Sequence, residues 1–318
     1  MQISNELIGV TSRSFSNHSQ LRQELLNKYP NAKFNSQGAS LAGEALVDFL
    51  LGCTKAITAL EKIDISILSQ LTELKVIGKY GVGLDMIDLQ AMASHGVKLG
   101  WTPGVNRRSV AELVLYYLLS LFRKMPQAHS STQPGQWKQS IGQQASEKII
   151  GIVGCGNVGK ELIHLLKPFN CKILIHDILD LTAYCRENKS EAVSLEDLLC
   201  RADAVTIHVP LTKLTRNFLD SQKLGLMKSS SYLINTARGG LVCEASLKDL
   251  LKQNKISGAA FDVFESEPAT DTDLLNLPNF LSSPHIGGSS EEAILAMGRA
   301  AILGLDNSCD ARTFMQYI

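Results

Sequence analysis

The stretch Ile149-Ile-Gly-Ile-Val-Gly-Cys-Gly-Asn-Val-Gly-Lys-Glu-Leu162 decides the fold. Its apolar start, Ile149–Val153, reads as a buried strand, and an amphipathic helix follows from about Asn157 to Lys167. Between them Gly154, Gly156 and Gly159 form G-x-G-x-x-G. The next strand, Lys172–His176, ends in Asp177, 18 positions after Gly159. Strand, glycine turn, helix, strand and acid together are the full context of a dinucleotide-binding unit. Gly154 permits the tight turn, Gly156 lets backbone approach a pyrophosphate, and Gly159 lets helix and strand pack closely. The helix N-terminus then favours the negative phosphates. A carboxylate at Asp177 accepts hydrogen bonds from both ribose hydroxyls and repels a 2′-phosphate. No arginine follows it, only Ile178, Leu179 and Asp180. The expected cofactor is therefore NAD rather than NADP.

The same strand–helix rhythm runs in both directions from this motif. Downstream, strands are expected at Ala204–Val209, Tyr232–Asn235 and Gly258–Phe261. Helices are expected near Ser194–Ala202, Asp220–Leu226, Glu244–Gln253 and Ser290–Leu305. Upstream, strands are expected at Leu7–Val10, Ala45–Leu51, Leu74–Gly78 and Val97–Leu99, with helices at Ser19–Tyr29, Ile63–Gln70 and Ile87–His95. Repeated βαβ units predict parallel sheets covered on both faces. A long helix is expected from about Ser109 to Met125, stopped by Pro126, with a polar loop from His129 to Glu147. Its core is apolar nearly all round, which predicts burial on more than one side, between domains or in a dimer interface.

The 318 residues predict about two domains. Hydrophobic residues make up 45 %, enough for sizeable cores, and 31 basic residues balance 31 acidic ones. Zero net charge gives no general attraction to nucleic acid or an anionic membrane. The longest apolar run, Leu113 to Phe122 with Ser120 inside it, is about half of what spans a bilayer. The N-terminus lacks a basic stretch followed by an apolar core, so no signal peptide is expected. Seven cysteines without a CxxC pair argue against a disulfide framework and against a metal site. They read as small, mostly buried apolar residues in a soluble, cytoplasmic protein.

Three residues past the glycine motif form a chemical kit. Arg238 lies in Ile-Asn-Thr-Ala-Arg-Gly-Gly, Glu267 in Phe-Asp-Val-Phe-Glu-Ser-Glu-Pro, and His285 in Ser-Ser-Pro-His-Ile-Gly-Gly. An arginine can hold a carboxylate, an acid can orient a histidine, and the histidine can move a proton to or from an oxygen. Beside a dinucleotide site, this suggests hydride transfer.

These blocks, with Lys-Tyr-Gly-Val-Gly-Leu-Asp at 79–85, Asn-Arg-Arg-Ser-Val-Ala-Glu-Leu at 106–113 and His-Val-Pro-Leu-Thr at 208–212, carry a resemblance. The chain resembles the D-isomer-specific 2-hydroxyacid dehydrogenases, in the branch that includes D-3-phosphoglycerate dehydrogenases. The resemblance implies two Rossmann-like doubly wound domains. A flavodoxin-like substrate domain would take residues 1–98 plus 290–318, and an NAD-binding domain 99–289. The active site would lie in the cleft between them, and the 109–125 helix would carry a homodimer contact. Arg238 would bind the carboxylate and carbonyl of a 2-oxo acid, His285 would be the acid/base, and Glu267, rather than Glu265, its partner. Asp262 would fix the nicotinamide carboxamide. Asn157, Val158, His208, Val209, Pro210, Thr236, Ala237, Gly287 and Gly288 match further cofactor-contacting positions. Val82, Gly83 and Asn106 match substrate-binding ones, although Asn106 could instead cap the helix that starts beside it.

The match departs at one place. Phosphoglycerate dehydrogenases often carry an arginine before a Thr-Lys pair, where it binds the substrate phosphate. Here the stretch is Leu51-Gly-Cys-Thr-Lys55, leaving Lys55, Lys79, Arg107 or Arg108 to supply positive charge. Two alternatives to a hydroxyacid dehydrogenase stay open on the same fold: a phosphite or formate dehydrogenase, and an NAD(H)-sensing corepressor-like binding protein.

Overall fold

A computed structural model describes residues 6–137 and 139–317; the first five residues of the N-terminal stretch lie outside it. The chain forms two compact units, Met1–Asn106 with Gly288–Ile318, and Arg107–Gly287.

Among the described residues of the first unit, six strands form one sheet. Their order is Cys309–Asp310, Lys98–Gly100, Val76–Lys79, Lys55–Thr58, Ile8–Val10, Ala32–Phe34. All neighbours are parallel except the Cys309–Asp310 edge, which runs antiparallel to Lys98–Gly100. The five parallel strands follow the 2-1-3-4-5 order of flavodoxin-like folds. Strands such as Ile8–Val10 and Val76–Lys79 are buried at every position because helices cover both faces. Short polar side chains start those helices. Asp88 caps Leu89–Ser94 by accepting the Ala91 N–H at 2.8 Å, and Ser290 caps Glu291–Gly304 by accepting that of Ala293 at 3.2 Å.

Two expectations fail in this half. Ala45–Leu51, expected as a strand, is the helix Glu44–Leu50. Leu46, Val47 and Leu50 are buried while Glu44 and Asp48 face water, which is helical spacing. A short apolar run does not separate the two periods clearly, and the strand comes later, at Lys55–Thr58. The first crossing between units also falls after Asn106, not after residue 98. Lys98–Gly100 pairs with Val76–Gly78, and this keeps the segment beyond it with the first sheet. The return crossing is at Gly288 rather than residue 290.

In the second unit, seven strands among the described residues form a fully parallel sheet. The order is Phe280–Ser282, Gly258–Phe261, Tyr232–Asn235, Ala204–Ile207, Ile149–Val153, Lys172–His176, Ser190–Ala192. Counted from Ile149–Val153 this is the 3-2-1-4-5-6 order of a dinucleotide-binding sheet, extended by one strand. The helix Arg107–Phe122 packs against Asn157–Leu166 and buries Val110, Val114, Tyr117, Leu118 and Leu121, leaving Tyr116 57 % exposed. It ends three residues earlier than expected. Lys124 turns left-handed at φ 53°, and Pro126 sits in the first turn of a further helix, Met125–Thr132. Proline is accommodated there because first-turn amides have no helical partner. The cysteines are all free among the described residues, but Cys200 and Cys309 are exposed, against the expectation of mostly buried ones.

Candidate active site

The glycine turn lies where the second sheet reverses its order. Ile149–Val153 has Lys172–His176 on one side and Ala204–Ile207 on the other, so the chain leaves it beside a topological switch point. Gly154 is left-handed at φ 88°, and a β-carbon there would come within 2.8 Å of the His208 carbonyl and 2.7 Å of Val209 Cγ1. Gly159 is closed in likewise, with Gly154 O 2.6 Å from its missing β-carbon. Gly156 differs: a β-carbon on it would meet nothing within 4 Å. The protein's own packing makes no demand for glycine there. The open space beside it leaves room for a pyrophosphate to approach the backbone. Gly156 is also the N-cap of Asn157–Leu166 and offers no side-chain cap, leaving the helix end open to an anion.

Asp177 is anchored in place. Its Oδ2 accepts the Cys155 N–H at 2.7 Å and its Oδ1 that of Leu179 at 3.0 Å. Each oxygen keeps a second lone pair for a ribose hydroxyl. Thr236 is 8 % exposed, and its Oγ1 makes no hydrogen bond among the described residues, as expected of a group awaiting a ligand. His208 Nε2 lies 3.0 Å from Thr206 Oγ1, and burial pushes its imidazole down to about 3, so it stays neutral. Val158, Val209 and Ala237 are half-buried and Asn157 and Pro210 exposed around the same strand ends. These residues fit NAD.

Arg238, Glu267 and His285 lie just beyond three neighbouring strands, Tyr232–Asn235, Gly258–Phe261 and Phe280–Ser282. Asn235 closes the Arg238 turn: its Oδ1 accepts the Ala237 N–H at 3.1 Å and its Nδ2 donates to Arg238 O at 2.8 Å. Arg238 Nη1 donates to Ala237 O at 2.7 Å. The adjoining Gly239 touches the Glu267 turn, since a β-carbon there would lie 1.9 Å from Phe264 O. Glu267 Oε2 lies 2.8 Å from His285 Nδ1. A carboxylate only accepts, so Nδ1 carries the proton and Nε2 is not engaged by Glu267. Glu265 is elsewhere engaged, paired with Arg216 at 3.1 Å.

Asp262 organises the histidine loop. Its carbonyl accepts the His285 N–H at 2.8 Å. Its Oδ1 accepts the Ile286 N–H at 2.8 Å and the Ser283 hydroxyl, and its Oδ2 accepts the Gly287 N–H at 2.7 Å. Ser283 is in turn bonded to Tyr117 OH. This web holds His285 left-handed at φ 55°, a conformation that costs a non-glycine residue energy and collects at functional sites. Gly287 O also accepts the Ser109 hydroxyl at 2.7 Å. Sequence reasoning missed the roles of Tyr117 and Ser283. A tyrosine on a helix buried nearly all round was the signal, because a buried phenol needs a partner.

The remaining expected residues belong to the first unit. Val82 and Gly83 follow the strand Val76–Lys79, and Val82 O accepts the Trp101 indole N–H at 3.2 Å. Gly288, expected in the cofactor set, is also in that unit, where its β-carbon position lies 2.9 Å from Asn106 Nδ2. Asn106 is buried, and its Oδ1 accepts no hydrogen bond among the described residues, so it does not cap the helix. The cations considered for a phosphate are largely engaged. Lys55 pairs with Glu6 at 2.8 Å and Asp306 at 3.6 Å, and Arg107 with Glu161 at 3.3 Å. Arg108 pairs with Glu112 and Glu161. Lys79 is buried and donates to Ala59 O and Tyr80 O. Among the described residues no group of acids, histidines and cysteines could hold a metal ion, and no helix is long and apolar enough to cross a membrane.

Residues 115–287 match the NAD-binding domain model of the D-isomer-specific 2-hydroxyacid dehydrogenases. A D-3-phosphoglycerate dehydrogenase of Methanocaldococcus jannaschii is 37 % identical over 245 residues, covering 74 % of this chain and 46 % of that protein. The match thus spans about half the length of that relative. A glyoxylate reductase of Thermococcus litoralis is 36 % identical over 242 residues, covering 73 % of each. The crystal structure of the TT0316 protein from Thermus thermophilus superposes with a TM-score of 0.80 at 27 % identity, covering 95 % of both chains. The NAD-binding fold, the order of its motifs and these relatives agree: the chain belongs to the D-isomer-specific 2-hydroxyacid dehydrogenase family.

Proposed function

We propose that the protein transfers a hydride between NAD(H) and a D-2-hydroxy acid/2-oxo acid pair. The observation that carries this reading is the 2.8 Å Glu267–His285 contact, one strand-end away from Arg238. Bound NADH supplies the hydride. Arg238 holds the substrate carboxylate and carbonyl oxygen and stabilises the charge that grows on that oxygen. The family resemblance alone assigns Val82, Gly83 and Asn106 of the first unit to substrate; Asn106 offers an Oδ1 that accepts no hydrogen bond among the described residues. His285, oriented by Glu267 through Nδ1, gives the Nε2 proton of its imidazolium to the nascent alkoxide in reduction, and neutral Nε2 takes that proton back in oxidation. Asp262 fixes the nicotinamide carboxamide while holding the histidine loop, and Asp177 selects NAD over NADP.

The substrate is a small unphosphorylated acid rather than 3-phosphoglycerate. Lys55, Arg107 and Arg108 are already paired with carboxylates and Lys79 is buried against two backbone carbonyls, so a phosphate would have to compete for each of these cations. The protein works as a cytoplasmic homodimer through the helix Arg107–Phe122, whose exposed Tyr116 and half-buried Leu113, Leu115 and Leu119 await a partner face.

The test is NADH oxidation with glyoxylate, pyruvate, hydroxypyruvate and 3-phosphohydroxypyruvate. Turnover of the unphosphorylated acids, with little of the phosphorylated one, supports the proposal. NADH binding without turnover of any acid would replace it with the nucleotide-sensor reading.

A further inference from the structure

The turn that carries Glu267 is held at a point away from the histidine. Glu244 opens the helix Glu244–Lys252, and its Oε1 accepts the Glu265 N–H at 2.7 Å. Gly239 presses on the same peptide group, its β-carbon position 2.0 Å from Phe264 C and 2.4 Å from Glu265 N. Glu267 Oε1 accepts the Phe264 N–H at 3.1 Å, and Oε2 meets His285. Behind the turn lies a cavity of about 160 Å³ walled by Glu244, Phe264, Glu265, Asp271 and Leu274. On that side of the turn, Glu244 is the side chain that bonds the Glu265 amide.

We propose that Glu244 is a positioning residue for the Glu267–His285 pair: its carboxylate fixes the Phe264–Glu265 peptide, and through it the place of the Glu267 carboxylate. This deepens the function proposed above and rests on it. The charges around Glu244 are accounted for. Glu265 is paired with Arg216, Asp271 with Lys248 at 2.7 Å, and Glu267 with His285. Glu244 itself bonds an amide. Burial, and after it the carboxylates of Glu265, Asp271 and Glu267, raise the Glu244 carboxyl above its ordinary value, against the pull of the Glu265 amide. A half-buried carboxylate kept among three others is a cost that the amide hydrogen bond offsets only in part.

The test uses the full chain with Glu244→Ala and Glu244→Gln. With NADH and glyoxylate, Glu244→Ala is expected to lower kcat roughly tenfold or more, leaving KM and NADH affinity near wild type. Glu244→Gln should recover most of kcat, because its amide oxygen can accept the same N–H. Independently of turnover, the His285 Nδ1 proton that faces Glu267 is followed by NMR without substrate. Glu244→Ala should move or broaden that signal toward what Glu267→Gln shows, and add nothing in a Glu267→Gln background. An unchanged kcat and an unchanged signal in Glu244→Ala would overturn the proposal. So would an effect just as large in the Glu267→Gln background, or loss of NADH binding in step with kcat. If wild type reduces no 2-oxo acid, the functional reading fails, and the proton signal still decides the role of Glu244.

Discussion

Glu267 and His285 are 18 residues apart in sequence and 2.8 Å apart in space, Oε2 to Nδ1. Both side chains remain more than a third exposed, so the pair is open to a ligand and not a buried structural bridge. Its value lies in fixing which nitrogen holds the proton. Glu267→Gln keeps the shape but loses the charge. Its kcat should fall roughly tenfold to a hundredfold, less than the loss in His285→Asn, which removes the proton donor itself. Steady-state reduction kinetics check both, and equal rates for Glu267→Gln and wild type would remove Glu267 from the mechanism.

Asn235 closes the turn that carries Arg238, and the guanidinium donates to the main-chain carbonyl of Ala237, an atom that truncating the arginine leaves in place. Arg238→Ala should therefore cost roughly 3 kcal/mol or more of transition-state binding and leave NADH affinity intact. Comparing kcat/KM with the NADH dissociation constant separates the two roles. Loss of NADH binding would assign Arg238 to the cofactor instead.

Gly156 is the sharpest test of the cofactor cradle. Because a β-carbon there meets nothing within 4 Å, Gly156→Ala should leave the melting temperature of the free protein unchanged. The same methyl would stand where the pyrophosphate approaches, weakening NADH at least about tenfold. Calorimetry and fluorescence titration measure the two effects. A lower melting temperature with unchanged affinity would place the constraint within the protein.

Asp203 ties the start of the central strand to the neighbouring loop. Its Oδ2 accepts the Ile149 N–H at 2.9 Å and its Oδ1 pairs with Lys228 at 2.7 Å. Burial works to raise its carboxyl, but Lys228 and the Ile149 amide outweigh it, so the group sits below its ordinary 3.8. A lowered folded value means that the stabilisation is present above pH 3.8 and lost as pH falls through the folded value. Asp203→Asn should thus destabilise by about 1 kcal/mol at pH 7, a modest figure for a part-exposed pair. The gap should close in urea unfolding as pH falls below 3.8 and through the folded value. An undiminished gap there would exclude this ion pair as its source.

The second unit was the more legible from sequence because its motifs constrain one another. A glycine turn, a helix and an acid at fixed spacing admit one topology, and Ile149–Val153 and Tyr232–Asn235 appear as read. The first unit lacks such a motif. Glu44–Leu50 misled because seven residues of mixed apolar pattern suit both periods. Three-residue strands such as Ala32–Phe34 and Ser190–Ala192 take their identity from pairing partners that no local pattern shows. The same holds at the site. Arg238, Glu267 and His285 stand out by residue type and motif. Glu244 and Ser283 enter through a bond to a backbone amide and a bond to the Asp262 carboxylate, contacts that exist only once the strands are side by side.

The most direct measurement of the central claim follows the hydride. Reduction of pyruvate with NADH deuterated at nicotinamide C4, followed by chiral separation and mass spectrometry, reports both transfer and stereochemistry. The account predicts D-lactate carrying deuterium at C2 for the correctly labelled face, and no label from the solvent at that carbon. L-lactate, or solvent hydrogen at C2, would contradict it.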